Sequence, residues 1–224
     1  MRRDKLLKSG KPDTNDYSYE DELDILYANI VSCSDCLAQY KKLLAEKNEE
    51  SDLGERYQSR TFNNFNSQDR ERAYGICMRA AEGIVKGEKK SVFLTGDVGT
   101  GKTHLAASIA NYCMEHGVVV KFGNITDIFQ SLRKAFSKDE DILGEIKSVP
   151  LLVLDDLGKE YSTEWTNETI YSIINYRYEH MLPTVVTTNL SLSELQERIG
   201  EATVSRLMEM CEYVSVTGED YRMS

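Results

Sequence analysis

The stretch from Ser91 to Gly117 constrains the fold more than any other part of this chain. At its centre lies the run Gly96-Asp97-Val98-Gly99-Thr100-Gly101-Lys102-Thr103, which fits the pattern G-x-x-x-x-G-K-[ST]. A short apolar and β-branched run, 91–95, precedes it and predicts a buried strand. Apolar residues recur every four positions after it (Leu105, Ile109 and Cys113), which predicts a helix face turned to a core. Strand, glycine-rich loop and helix in this order predict a phosphate-binding loop.

The residue types of this loop fit the binding of a nucleoside triphosphate. Glycines let the backbone curl so that its N–H groups point at phosphate oxygens, and the helix N-terminus adds partial positive charge. Lys102 can bridge the β- and γ-phosphates, and the Thr103 hydroxyl can ligate Mg²⁺. The predicted nucleotide-binding residues are Gly96, Asp97, Val98, Gly99, Thr100, Gly101, Lys102, Thr103 and His104.

A second motif, 151–156, consists of four apolar residues followed by two carboxylates. Asp155, at the end of this predicted strand, is placed to hold the Mg²⁺ that Thr103 also binds. Asp156 is placed to orient or deprotonate the attacking water. A strand ending in a carboxylate also occurs as a helix cap or turn, so the preceding phosphate-binding loop is what makes the pattern specific.

Three further polar residues occupy informative positions. Asn189 follows the predicted strand 184–188, where its amide either reaches the γ-phosphate or begins a turn before Ser191. Arg206 is predicted to point away from the core, because the buried face of its helix is assigned to Val204, Leu207, Met208 and Cys211. Arg177 shares a helical line with apolar residues, which indicates either a subunit boundary or an arginine that extends past the core edge.

Strands that alternate with helices predict an α/β fold with a doubly wound parallel sheet. Besides 91–95, the predicted strands are 118–122, 151–154, 184–188 and 212–216, and the predicted helices are about 67–86, 125–136, 139–147 and 166–181. Ligands bind at the carboxyl ends of such strands, where the glycine-rich loop and Asp155 both fall.

The N-terminal part, 1–55, is predicted to be a helical partner-binding segment with a linker, and 56–224 the nucleotide-binding core. Residues 21–47 carry a heptad seam: Leu23, Leu26, Ile30, Cys33, Leu37, Tyr40 and Leu44. This seam indicates either docking of a partner protein or a helix packed on its own domain. Residues 48–60 read as a linker, and Phe62 and Phe65 either pack as a lip or contact a base.

Charge and cysteine content limit the classes of function. A net charge of −10 argues against coating duplex DNA by bulk electrostatics, so any contact with nucleic acid needs a local basic patch.

Five scattered cysteines suit reduced thiols, and the chain lacks an apolar run of membrane-spanning length, so we expect a cytoplasmic protein without membrane contact. Cys33 and Cys36 form half of a zinc site, but ordinary thiols are the favoured interpretation. The other cysteines, Cys77, Cys113 and Cys211, fall in predicted core helices or helix ends.

Four segments together resemble the DnaC/IstB-like AAA+ ATPases: GDVGTGKTHLAASIAN, LLVLDDLGKE, IINYRYEHMLPTVVTTNLS and SRLMEMCEYVSVTGEDYR. This resemblance covers residues of about 60 to 222. It implies an AAA+ type P-loop core of five parallel strands in the order 5-1-4-3-2. It also implies that Asn189 acts as sensor 1 and that Arg206 is an arginine finger acting in a neighbouring subunit.

The same resemblance implies a slow ATPase, using ATP and Mg²⁺, that assembles as a homo-oligomer with a replicative DNA helicase and single-stranded DNA. Residues 21–47 are the predicted helicase contact, and the paired helices at 125–147 nominate Arg133, Lys134 and Phe136 for DNA, although an exposed helix face is the simpler interpretation.

Two departures from the family pattern affect these expectations. Asp156 stands where many AAA+ proteins have Glu, although Asp is usual in this subgroup. Too short a stretch follows Asn189 for the C-terminal lid domain of most AAA+ proteins, so the sensor 2 arginine is expected to be missing or replaced by Arg222.

Two other functions remain open at this point. One is a transposition ATPase of the IstB type acting on duplex DNA, against which the net charge argues. The other is a small-molecule P-loop kinase working as a monomer, which would not depend on Arg206.

Overall fold

The computed structural model describes residues 53–135, 141–159, 162–218 and Asp220. Within them, five strands form one parallel sheet in the order β2-β3-β4-β1-β5. The strands are β1 Val92–Thr95, β2 Val120–Asn124, β3 Leu151–Asp155, β4 Thr184–Thr188 and β5 Glu212–Ser215. The predicted α/β class and the implied strand order are therefore confirmed.

Helices cover both faces of this sheet, as a parallel sheet requires. They are α1 Glu55–Gln58, α2 Glu71–Val85, α3 Lys102–Glu115, α4 Ile125–Ala135, α5 Ile142–Ser148, α6 Glu164–Glu179, α7 Leu192–Ile199 and α8 Glu201–Met210, with a 3-10 turn at Phe62–Asn64. Alternate residues of β3 face opposite apolar clusters: Leu151 packs with α2 and α3, whereas Leu152 packs with α4, α6 and α8. The consecutive burial of β1, β3 and β4 follows from this coverage.

Of the element boundaries that differ from the sequence predictions, three have a direct explanation in the local structure. β2 begins two residues later than predicted, because the Val118 N–H is bonded to the Cys113 carbonyl and still belongs to the end of α3. α2 begins at Glu71 rather than at 67, because Asp69 has a φ of +62° in a turn. α6 begins at Glu164 rather than at 166, because the Thr163 hydroxyl caps it.

Arg177 is completely buried, which corrects both interpretations of its position on an apolar stripe. Its Nε donates to Thr184 Oγ1 at 2.9 Å, and its terminal nitrogens donate to the carbonyls of Lys147 and Val149 at 2.9 and 2.8 Å and to that of Pro183. Burial lowers the pKa of this guanidinium to about 9. Arg177 therefore joins the C-terminal end of α5 to the start of β4 and neither reaches solvent nor marks a subunit boundary.

Other predictions have mixed outcomes. Met208 is exposed, so it does not belong to the buried face of α8, whereas Val204, Leu207 and Cys211 do. Residues 53–60 do not cross solvent as a linker, because Leu53 is buried and Tyr57 lies against Phe122 with ring centroids 5.4 Å apart. In the part of the chain that the structure describes, no helix is long and apolar enough to cross a bilayer.

Several predictions lie outside the described residues: the seam at 21–47, the Cys33 and Cys36 pair, Phe136 and Arg222. The domain boundary between 55 and 56 likewise stays a prediction.

Candidate nucleotide-binding site

The glycine-rich loop has the backbone that a phosphate-binding loop needs. Gly96, Gly99 and Gly101 all have positive φ, and the loop is braced by a 2.9 Å bond from Thr100 Oγ1 to the Asp97 carbonyl. A Cβ on Gly101 would lie 2.8 Å from the Phe65 ring, so only glycine fits there. α3 starts directly after Gly101, so its first N–H groups are available to an anion.

Lys102 is folded onto the loop from which it starts. Its Nζ donates to the carbonyl oxygens of Gly96 at 2.8 Å and Asp97 at 2.6 Å, and the side chain is buried. Burial lowers the pKa of the ammonium, while the Asp156 carboxylate acts in the opposite direction. This places the amine inside the cradle where the sequence predicts the β- and γ-phosphates.

The centre of the site is a hydrogen-bonded group of three residues: Thr103, Asp155 and Thr187. Asp155 Oδ1 accepts from Thr103 Oγ1 at 2.9 Å and from Thr187 Oγ1 at 2.7 Å. Burial raises the pKa of Asp155, and the bond from Thr187 opposes that rise. Thr103 and Asp155, the two residues predicted to bind Mg²⁺, are therefore adjacent.

This donor set fits a magnesium ion bound together with substrate phosphates. Mg²⁺ prefers oxygen ligands in octahedral geometry, and proteins hold it through one or two carboxylates, with phosphates and waters completing the shell. Thr103 and Asp155 supply one hydroxyl and one carboxylate, and the described residues contain no cluster of three or more His, Cys, Asp or Glu that would bind a metal alone.

Asp156 is held by several donors in an uncommon backbone conformation. Its φ is +61°, and its N–H donates to Thr187 Oγ1 at 2.9 Å. Lys159 Nζ lies 2.7 Å from Asp156 Oδ2, and Asn124 Nδ2 lies 3.3 Å from the same oxygen. Asn189 Nδ2 lies 3.5 Å from Oδ1. The two residues predicted to handle the attacking water, Asp156 and Asn189, are therefore neighbours, although their roles stay predictions.

His104 contacts the segment that closes one side of the pocket. Its Nε2 lies 3.0 Å from the Thr61 carbonyl oxygen and 3.0 Å from Asn64 Oδ1. The Phe65 ring meets it edge-on at 5.1 Å between centroids, and burial lowers the pKa of the imidazole. His104 was predicted to bind nucleotide. In this structure it anchors the segment that carries Phe62 and Phe65.

The resulting pocket has a volume of about 510 Å³, a size typical of small-ligand sites. Its lining is rich in polar and charged groups: Arg56, Tyr57, Arg60, Asn64, Phe65, Asn66, Val98, Gly99, Gly101, Lys102, Thr103, His104, Asp155, Asp156, Lys159 and Asn189.

Arg206 and the candidate DNA residues lie outside this lining. The side chain of Arg206, on α8, is bonded to two side chains of α6. Its Nε donates to Asn175 Oδ1 at 2.8 Å and an Nη donates to the Tyr171 hydroxyl at 3.1 Å. The Arg133 guanidinium lies 5.3 Å from the centroid of the Trp165 ring, and Lys134 is exposed. The roles of Arg206, Arg133 and Lys134 remain predictions.

Among the site residues that sequence reasoning missed are three that contact the two aspartates: Thr187, Asn124 and Lys159. Thr187 and Asn124 become neighbours of the carboxylates only because β4 and β2 flank β3, where Asn124 is in register with Asp155. Lys159 gave a usable signal, since it lies three residues after Asp156 and close to it in any tight turn.

Comparison with known proteins bears directly on this site. The family model described as "IstB-like ATP binding protein" matches residues 8–224. The chain is 34% identical over 144 residues to the phage-like element PBSX protein XkdC of Bacillus subtilis, which is 61% of this chain and 54% of that protein. It is 30% identical over 125 residues to the replicative helicase loader DnaC of Escherichia coli K12, 54% of this chain and 51% of that protein. The chain thus spans about half the length of the curated relatives it matches.

Solved structures give the same answer for the fold. The crystal structure of the DnaC helicase loader matches with a TM-score of 0.67 and 30% identity, covering 73% of this chain and all of that one. The replication initiator DnaA bound to AMPPCP and single-stranded DNA matches with a TM-score of 0.64 and 26% identity, covering 75% of this chain and 52% of that one. With its P-loop, its paired carboxylates and a family match over nearly its whole length, the chain belongs to the IstB-like ATP binding proteins, the DnaC/IstB-like branch of the AAA+ P-loop fold.

Proposed function

We propose that this protein is an ATP-dependent loader of a replicative helicase, in which ATP binding and hydrolysis control assembly with a hexameric helicase and single-stranded DNA. The observation that carries the proposal is the hydrogen-bonded group of Thr103, Asp155 and Thr187. It lies beside the P-loop lysine in a pocket of about 510 Å³. Its support comes from relatives named as helicase loaders, DnaC in Escherichia coli and DnaI in Bacillus subtilis.

In this proposal each residue of the site has one task. The loop N–H groups and Lys102 would bind the β- and γ-phosphates, and Thr103 and Asp155 would hold Mg²⁺, whose charge would offset that of the phosphates. Asp156 accepts a proton from the attacking water, and Asn189 keeps that water in line with the γ-phosphate. Thr187 keeps the Asp155 carboxylate and the Asp156 backbone in place, because its hydroxyl donates to Asp155 and accepts from the Asp156 N–H.

The proposal assigns assembly to regions outside the pocket. Arg206 acts on the nucleotide of a neighbouring copy, residues 21–47 bind the helicase, and Arg133 with Lys134 approaches single-stranded DNA. A solved neighbour of the same fold is bound to AMPPCP and single-stranded DNA, which supports both ligands for this fold.

The test is the rate of phosphate release from ATP with and without single-stranded DNA and the replicative helicase, with light scattering to follow assembly. We expect slow hydrolysis, ATP-dependent oligomers, and no hydrolysis by Lys102→Ala or Asp155→Ala. If calorimetry detects no binding of MgATP, or if Asp155→Ala hydrolyses as fast as the parent, the proposal is wrong.

A second experiment separates the loader from the transposition ATPase. Deletion of residues 1–50 should abolish capture of the helicase, and ATP-dependent binding should favour single-stranded over duplex DNA at physiological salt. Capture that survives the deletion would count against the loader hypothesis, and tight salt-sensitive duplex binding with ATP would favour the alternative role on duplex DNA.

A further inference from the structure

Lys159 lies on a turn whose backbone is fixed on several sides. The Leu157 N–H donates to the Thr187 carbonyl at 2.8 Å, and the Leu157 carbonyl accepts from Thr188 Oγ1 at 2.8 Å. The Gly158 carbonyl accepts from Arg198 at 2.7 Å. The position from which the Lys159 side chain starts is therefore determined by β4 and α7.

The side chain itself is half exposed, but its ammonium is directed into the nucleotide pocket. Lys159 Nζ lies 2.7 Å from Asp156 Oδ2, and Lys159 is part of the pocket lining. A half-exposed ion pair contributes little to the stability of a fold. What the pair does achieve is to restrict a flexible lysine to the carboxylate side of the site.

The charges of the pocket indicate what this ammonium meets. Four cationic side chains line it (Arg56, Arg60, Lys102 and Lys159) against two carboxylates (Asp155 and Asp156), in a chain whose net charge is −10. A magnesium triphosphate brings a surplus of negative charge to such a surface. Lys102 and Lys159 are also close enough for each to feel the other: burial and, to a lesser degree, the Lys159 charge lower the pKa of Lys102.

We propose that Lys159 is a second cationic contact for the terminal phosphate, held ready by Asp156, and that it determines the preference of the site for ATP over ADP. This inference rests on the proposed nucleotide function. Lys159 lies beside the carboxylates predicted to hold the metal and the water, both of which act at the γ-phosphate. ADP lacks that phosphate, so only ATP gains the contact.

The test measures the affinities for ATP and ADP by displacement of a fluorescent nucleotide, with Mg²⁺ present, for Lys159→Gln and Lys159→Arg. Loss of one charge-assisted hydrogen bond predicts about tenfold weaker ATP binding for Lys159→Gln. Its affinity for ADP should stay within about twofold of the parent, and Lys159→Arg should retain most of the ATP affinity. Lys89→Gln, which removes an exposed lysine outside this pocket, is the matched control and should change neither affinity.

ADP binding also reports whether each variant is folded, and it separates the two levels of inference. If the parent protein binds neither nucleotide, the proposed function itself fails. A second outcome is that the parent binds both nucleotides and that Lys159→Gln leaves the ratio of the two affinities unchanged. The site then binds nucleotide, but Lys159 does not determine the preference for ATP.

Discussion

Through one hydroxyl, Thr187 connects the Asp155 carboxylate to the backbone N–H of Asp156. Thr187→Val keeps the shape of the side chain and removes both hydrogen bonds, so the Asp156 N–H loses its acceptor and Asp155 loses a donor. Residues that orient catalytic or metal-binding groups typically contribute about 10- to 100-fold to activity. We expect the ATPase kcat of Thr187→Val to fall by that factor, as measured by steady-state phosphate release.

Thr169→Val is the matched control for this change. Thr169 is also buried, but its hydroxyl donates only to the carbonyl of Trp165 within α6. Its ATPase should stay near that of the parent. Equal losses in both variants would mean that the effect of Thr187→Val arises from the general loss of a buried hydroxyl.

The three described cysteines, Cys77, Cys113 and Cys211, are free thiols in the core, and their chemistry follows from burial. Burial raises the pKa of each thiol from about 9 to about 12. At pH 8 about one thiol in ten thousand is then a thiolate, against about one in ten in the unfolded chain. We expect peptides with these cysteines to resist iodoacetamide in the native protein and to be alkylated in urea, as read by mass spectrometry. Fast native labelling would contradict their burial.

At the scale of elements, Arg177 links α5, α6 and β4. Lysine in its place keeps a positive charge but cannot reproduce the planar fork, so buried carbonyls at the end of α5 lose their donors. We expect Arg177→Lys to lower the free energy of unfolding by about 3 kcal/mol. The measurement is a shift of the urea denaturation midpoint. Arg79→Lys, at an exposed position of α2, should leave that midpoint unchanged.

The elements also show where sequence reasoning works and where it ends. The P-loop and the carboxylates after β3 are local in sequence, so fixed spacing was enough to predict Lys102, Thr103 and Asp155. Arg177 was noticed as an arginine on an apolar line but was misinterpreted, because two of its carbonyl partners, Lys147 and Val149, lie about 30 residues away at the end of α5. Such partners are set by packing between elements and have no local signature. The strand order likewise came from family resemblance, since alternating strands and helices allow several orders.

At the scale of the whole molecule, the position of Arg206 determines whether one copy is sufficient for hydrolysis. Arg206 does not line the pocket of its own chain and is bonded to Asn175 and Tyr171 on α6. If it contributes to hydrolysis, it therefore does so in a neighbouring copy. We expect Arg206→Ala to bind ATP normally but to lose ATPase activity, whereas exposed Arg79→Ala should keep it.

Subunit mixing tests this arrangement directly, because pocket and finger then come from different chains. Lys102→Ala lacks a working pocket and keeps Arg206, and Arg206→Ala has the opposite combination. In a random equimolar mixture, about a quarter of the interfaces join an intact pocket to an intact arginine, so hydrolysis should recover to about that fraction of the parent rate. Each variant alone should be inactive. Full activity of Arg206→Ala by itself would point to a chain that works as a monomer, and an inactive mixture of two folded variants would mean that Arg206 does not complete a neighbouring pocket.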